Sequence, residues 1–170
     1  MTISAAIRDQ VRQRYNYRCG YCGTSEINAG GELEIEHFRP KAKGGSDVLE
    51  NLVYSCARCN RFKAAYWPAP TCPPSQHLLH PLLDNLAEHI DLSINGELLG
   101  LTARGWFHIN WLQLNRPQLI TARRLQQQLA ANRQLEKRYQ LLITQLQEQN
   151  LQQAHTIARL RSLIAQLQKK

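Results

Sequence analysis

Four cysteines stand in two pairs, Cys19-Gly-Tyr-Cys22 and Cys56-Ala-Arg-Cys59, with Gly23–Ser55 between them. A two-residue gap lets both thiolates of a pair face one ion, and tetrahedral zinc takes four ligands at about 2.3 Å. A lone pair of this kind is shared with redox motifs. Two pairs, with Gly20 and Gly23 in the first and Asn60 directly after the second, point to zinc instead. With all four ligands supplied by protein, no coordination position stays open, so the zinc is structural and any catalysis lies elsewhere. The fifth cysteine, Cys72, has no such company and is assigned no role. Between the pairs lies Glu34-Ile-Glu36-His37, followed later by Asn51 and then by Asn60. Phosphodiester hydrolysis needs an activated water, counter-charge for the developing negative oxygens and help for the leaving oxygen. Histidine, with an unperturbed pKa of about 6.5, can act as base near neutral pH. A hard cation such as Mg²⁺ takes oxygen ligands, which the Glu36 carboxylate and the Asn60 carbonyl offer if their elements pack together.

The elements that must position these residues can be read along the chain. Ser4 is suited to cap a helix over residues 4–16, with Ile7, Val11 and Tyr15 on one face. Leu33–Phe38 alternates apolar and polar residues as a half-buried strand does, and Leu52–Ser55 is a second strand. Residues 39–51 read as a basic loop, and a short helix is expected from the second cysteine pair to about Tyr66. Residues 67–76 hold four of the seven prolines, as a linker or rigid arm does. Residues 91–99 predict a hairpin with Asn95-Gly96 as a type I′ turn. Thr102 is expected to cap a heavily buried helix to Leu114, and Asn115 to cap a further helix with Pro117 near its first position.

From there to Lys170 the chain has neither Gly nor Pro. Leu146, Asn150, Gln153, Ile157, Leu160, Ile164 and Leu167 follow a 4-3 spacing, the seam of a coiled coil. One unbroken helix would be about 80 Å long at about 1.5 Å per residue; a fold-back near Glu148–Gln153 is the other arrangement. So long a helix with a narrow apolar stripe needs a partner.

Charge follows the same division. Residues 1–117 carry 12 basic and 11 acidic side chains, whereas residues 118–170 carry 9 basic and 2 acidic. A basic segment suits a polyanion, because each neutralised phosphate releases counterions; a solvated basic helix face is the plainer reading. No stretch approaches the roughly 18 apolar residues of a membrane span and no apolar leader opens the chain. A soluble, cytoplasmic protein without membrane association is expected.

The ordered set of CxxC, Glu36-His37, a Gly-Gly loop, Asn51-Leu and Cys59-Asn60-x-x-Lys63 over residues 15–67 resembles the ββα-metal site of HNH endonucleases, in the variant with Asn at the third signature position. That resemblance implies His37 as general base, Glu36 and Asn60 as ligands of Mg²⁺ or Mn²⁺, and Asn51 as a brace of the loop that orients His37. Many relatives carry Asp where this chain has Glu36. Lys41, Lys43, Arg61 and Lys63 are candidates for phosphate contacts on charge and position, and Arg123 and Arg124 on their place at the domain end. Residues 76–124 are similar to HNH proteins paired with an ATPase in bacterial anti-phage systems of the Septu and retron-linked kinds, which implies a partner protein.

The fold class expected is α+β. It comprises a small zinc-stabilised HNH domain (residues 1–68), a Pro-rich linker with hairpin and helix (69–116), and a long basic helical tail (117–170). The function expected is metal-dependent cleavage of DNA, with a homo-oligomer or hetero-complex formed through the tail. The rivals are a non-catalytic zinc module that binds nucleic acid, and a coiled-coil assembly subunit.

Overall fold

The computed structural model describes residues 3–168, Leu163 by its backbone alone. It divides after Arg124 into two compact units. No described helix is long and apolar enough to cross a membrane.

The first unit opens with α1 (Ala5–Arg14), where Ile7 N–H donates to the hydroxyl of Ser4, the expected cap. A knuckle turn carries Cys19 and Cys22 into α2 (Glu26–Ala29). Strands β1 (Glu34–His37) and β2 (Leu52–Ser55) pair antiparallel, with Glu34 opposite Ser55 and His37 opposite Leu52. Helix α3 (Ala57–Lys63) follows at once, with Cys56 as its N-cap. Strand–strand–helix is therefore the order that the alternation in Leu33–Phe38 and the glycine-rich loop predict. Every residue of β2 is buried, and Val11 of α1, Leu52, Val53, Tyr54 and Cys59 form the centre of the core. The Tyr54 hydroxyl accepts Leu33 N–H at 2.8 Å and donates to Glu26, which ties α2 to the strands.

Strands β3 (Ile90–Leu92) and β4 (Leu98–Gly100) form the second hairpin. Its turn is not type I′. Only Gly96 has a positive φ, at +78°, while Asn95 does not. Gly96 N–H donates to Ser93 O, and Ser93 N–H to Glu97 O. This is a type I turn closed by a glycine bulge, the geometry of a loop longer than two residues. A Cβ on Gly96 would come within 2.6 Å of Ile120 O, so the turn is seated against the next helix.

Helix α4 (Ala103–Trp111) is capped by Thr102 as expected. Its burial is less complete than its apolar content implies. Ile109 is buried, as are Leu112 and Leu114 just beyond the helix, but Trp106 and Trp111 remain 46% and 39% exposed. Ile109, Leu112 and Leu114 join Val11 and Leu52 in one buried cluster, so that core draws on both 1–68 and 69–116.

Helix α5 runs unbroken from Pro117 to Leu167, without the fold-back near Glu148. Asn115 does not cap it. Its side chain instead accepts Leu98 N–H and donates to Leu98 O, both at 2.8 Å, completing the edge of β4. The start of α5 belongs to the first unit, through buried Leu119 and through Arg123, which donates to Gly96 O and Leu114 O. In the second unit every described side chain from residue 128 to 168 is exposed, including the apolar seam positions Leu146, Ile157, Leu160, Ile164 and Leu167.

Candidate active site

The four cysteines converge. The sulfur atoms of Cys19, Cys22, Cys56 and Cys59 all lie within 4.8 Å of one another. Cys22 and Cys56 are 3.7 Å apart, close to the edge of about 3.8 Å that a tetrahedron with bonds of about 2.3 Å requires. The first knuckle is folded by Cys19 N–H on Thr24 O and Gly23 N–H on Cys19 O, each 2.8 Å, and the second by the first turn of α3. Contact with Cys19 lowers Cys22 and brings Cys56 down to about 7; contact with Cys22 raises Cys19, and contact with Cys19 raises Cys59. Thiols that crowd one point share protons which a cation displaces on binding. The Arg116 guanidinium lies 3.7 Å from Cys59 Sγ and over the Phe62 ring, adding positive charge beside the cluster. Geometry and donor set both fit a structural zinc.

His37 ends β1 with its imidazole mostly buried, and its Nε2 lies 2.7 Å from Asp47 Oδ1. Lys41 Nζ holds the other oxygen of Asp47 at 2.5 Å. The Lys41 hydrogen bond, followed by that of His37, keeps Asp47 below the usual carboxylate range. Lys41 is thus an ion-pair partner at the site's edge, while Lys43 and Arg61 make no ion pair among the described residues. Asn51 ties the intervening loop together: its Oδ1 accepts Arg39 N–H, and its Nδ2 donates to Ser46 O and Arg39 O. Gly45 is required where the loop folds back, since a Cβ there would sit 1.7 Å from Arg39 O.

Glu36 and Lys63 are placed differently from the expectation. Both are buried, and Lys63 Nζ lies 2.8 Å from Glu36 Oε2 and donates to His37 O at 2.9 Å. Tyr21 OH donates to the other Glu36 oxygen. Burial raises the Glu36 carboxyl against the lowering effect of Lys63 and Tyr21. Both Glu36 oxygens are thus engaged inside the fold, whereas a cation shared with Asn60 needs one of them released. Lys63, 1% exposed, acts on β1 from beneath rather than on a phosphate at the surface. Asn60 instead meets Glu34: its Nδ2 donates to Glu34 Oε2 at 2.6 Å. Strand alternation puts Glu34 and Glu36 on one face of β1 and His37 on the other. Arg123 commits its hydrogen bonds to the backbone of Gly96 and Leu114 and to Asn115, while Arg124 is exposed.

Two residues that sequence reasoning did not single out, Asp47 and Glu34, are therefore direct partners of two that it did. Glu34 carried a signal, since it shares the strand face of Glu36. Asp47 carried only its place two residues after Gly45.

Residues 19–65 match the sequence model of the family described as HNH endonuclease. A Septu protein PtuB from Bacillus mycoides is 30% identical over 118 residues, covering 54% of this chain and 40% of that protein. A second Septu protein PtuB, from Bacillus thuringiensis, is 29% identical over 59% of this chain and 37% of its own length. A CRISPR-associated endonuclease Cas9 from Corynebacterium diphtheriae is 40% identical over 57 residues, 33% of this chain and 5% of that protein. The chain thus spans less than half the length of the curated relatives it matches. With the cysteine cluster and the strand–strand–helix order lying inside the matched segment, the chain carries an HNH endonuclease-family domain over residues 19–65.

Proposed function

We propose that the protein is a metal-dependent endonuclease that hydrolyses DNA phosphodiester bonds. The observation that carries this reading is the His37–Asp47 contact, formed on a strand that lies between two halves of a cysteine cluster. In this reading His37 accepts the proton of the attacking water, and Asp47 orients the ring and stabilises the imidazolium. Asn51 fixes the loop that presents Asp47, and Lys63 fixes β1 through the His37 carbonyl. Mg²⁺ or Mn²⁺ supplies charge against the developing negative oxygens when bound. Asn60, whose side-chain Oδ1 accepts no hydrogen bond among the described residues, is the ligand open to it, whereas Glu34 is held by Asn60 Nδ2 on the face of β1 opposite His37. Of the six basic residues expected to meet phosphate, Lys43, Arg61 and Arg124 are exposed and make no ion pair among the described residues.

The likeness to the Septu proteins supports a place in an anti-phage defence complex, with an ATPase as partner protein. The exposed seam of α5 supports a second element of that reading: this helix pairs with another copy or with the partner. A zinc module that only binds nucleic acid has no need of the His37–Asp47 pair, which favours the catalytic reading.

Incubating the protein with supercoiled plasmid and Mg²⁺ or Mn²⁺ tests the activity. Nicked or linear product from the native chain and none from His37→Ala is expected. Equal cutting by both, or by neither, removes the assignment.

A further inference from the structure

A cavity of about 680 Å³ opens in the first unit immediately after His37 in the chain, at Phe38 and Arg39. That volume lies within the roughly 300–1,000 Å³ of small-molecule sites. Three of its walls are aromatic: Phe38, Tyr66 and Trp67. Trp67 meets the edge of Phe38 at 6.1 Å between centroids, and the Arg39 guanidinium lies 5.3 Å from the centre of the Trp67 ring. Arg39 is held there by donating to Lys43 O. Lys43, at the rim, has no ion-pair partner among the described residues.

The other walls are fixed rather than free. Tyr66 donates its hydroxyl to Gln76 O and packs on Trp111. Arg104 is bidentate to Asp84 and donates to the carbonyls of His77 and Leu78, so its charge is neutralised. His77, also in the wall, has a buried Nε2 with no hydrogen-bond partner.

We propose that this cavity takes one unpaired nucleobase, stacked in the Phe38–Trp67 corner, with its phosphate against Arg39 and Lys43. Aromatic faces interleaved with cations are the chemistry that recognises a single strand, because every base has a π-face and every linkage a charge. A base in a duplex cannot reach such a cavity without leaving its stack. The site therefore selects a single-stranded, frayed or bulged position one step along the chain from His37. This rests on the nuclease reading for its purpose, but not for its geometry.

Binding is measured by fluorescence anisotropy in a His37→Ala background, with a labelled 12-nucleotide single strand and the same sequence as a blunt duplex. Trp67→Ala is expected to weaken single-strand binding by about 5- to 150-fold, the equivalent of about 1–3 kcal/mol of stacking. Duplex binding should stay within about twofold, and Trp67→Phe should keep most of the single-strand affinity. A thermal melt of each variant separates this effect from unfolding. The same strand as RNA is the second arm: loss with DNA, with RNA or with both upholds the base cavity and names its source. Unchanged binding in Trp67→Ala, or equal losses for single strand and duplex in a folded variant, overturns it. Plasmid cleavage by the native chain is scored separately, so a base cavity without nuclease activity would be seen as such.

Discussion

The imidazole of His37 and the carboxylate of Asp47, ten positions apart in the chain, meet at 2.7 Å, with Lys41 on the far oxygen. A carboxylate so placed stabilises the charged ring that forms when histidine takes a proton. His37→Ala is expected to lower plasmid cleavage by about 10²–10⁴-fold. Asp47→Asn keeps the shape and loses the charge, and a smaller loss of about 10–100-fold in rate is expected, with substrate affinity little changed. Single-turnover cleavage rates distinguish the two, and an Asp47→Asn protein as fast as the native chain would leave Asp47 a structural loop residue.

Asn60 and Glu36, the two residues expected to share one cation, make different predictions from where they sit. Asn60→Ala should raise the Mg²⁺ or Mn²⁺ concentration needed for half-maximal cleavage while the melting temperature holds. Glu36→Ala should leave the buried Lys63 ammonium unpaired and lower stability by about 3–5 kcal/mol, as breaking a buried pair does. Cleavage titrated against cation, beside thermal melts, separates them; a Glu36→Ala protein that melts normally but needs more cation would restore Glu36 as the ligand.

Zinc removal should act on the fold before the chemistry. One zinc per chain is expected by elemental analysis. Cys59→Ser, which replaces a fully buried ligand, should lose the metal and unfold the first unit. Cys72→Ser, at a half-buried site away from the cluster, should change neither. A metal-free native chain with an unaltered melt would end the zinc assignment.

Acid should destabilise the first unit through His108. Its buried Nδ1 accepts Leu79 N–H at 3.0 Å, and burial, with Arg104 nearby, brings its pKa down to about 4. The unfolded chain binds the proton at about 6.5 and the folded one does not, so this stability is complete above pH of about 6.5. It is lost as pH falls toward about 4, with a ceiling of about 3 kcal/mol. His108→Asn keeps an acceptor near the Nδ1 position and should flatten the profile over that range in melts at fixed zinc.

The tail can be tested with a cut placed by the fold. Ending the chain at Arg124 retains Leu119 and Arg123, which the first unit buries or bonds, whereas ending it at Pro117 removes both. The longer form should fold normally, sediment with a smaller mass per particle than the full chain, and bind DNA with a shallower salt dependence. Identical mass and salt slope would make the tail a solvated helix.

Much of this was legible from local pattern. The cysteine spacing, the alternation of Leu33–Phe38 and the cap residues Ser4 and Thr102 are signals carried by a few neighbouring residues, and the structure follows them. Partner choice was less legible where it depends on the path of a loop. The side chain of Asn115 had the right chemistry for a helix cap, but the edge of β4 took it first. Glu36 had the right chemistry for a cation, but Lys63 reached it from α3. His37 and Asp47 are ten positions apart with no periodic relation, so only the turn through Gly44 and Gly45 brings them together.

One half of the cysteine cluster precedes β1 and the other follows β2, so the chain that carries His37 is the loop a cation closes. Assembly of the β1–β2 pair is then linked by mass action to free zinc. A ligand at a hundred times its dissociation constant adds about 2.7 kcal/mol to the folded form, and each tenfold fall removes about half of that. Activity should therefore follow a saturation curve in the metal supply of the surroundings, with a chelator silencing the protein although it never touches His37.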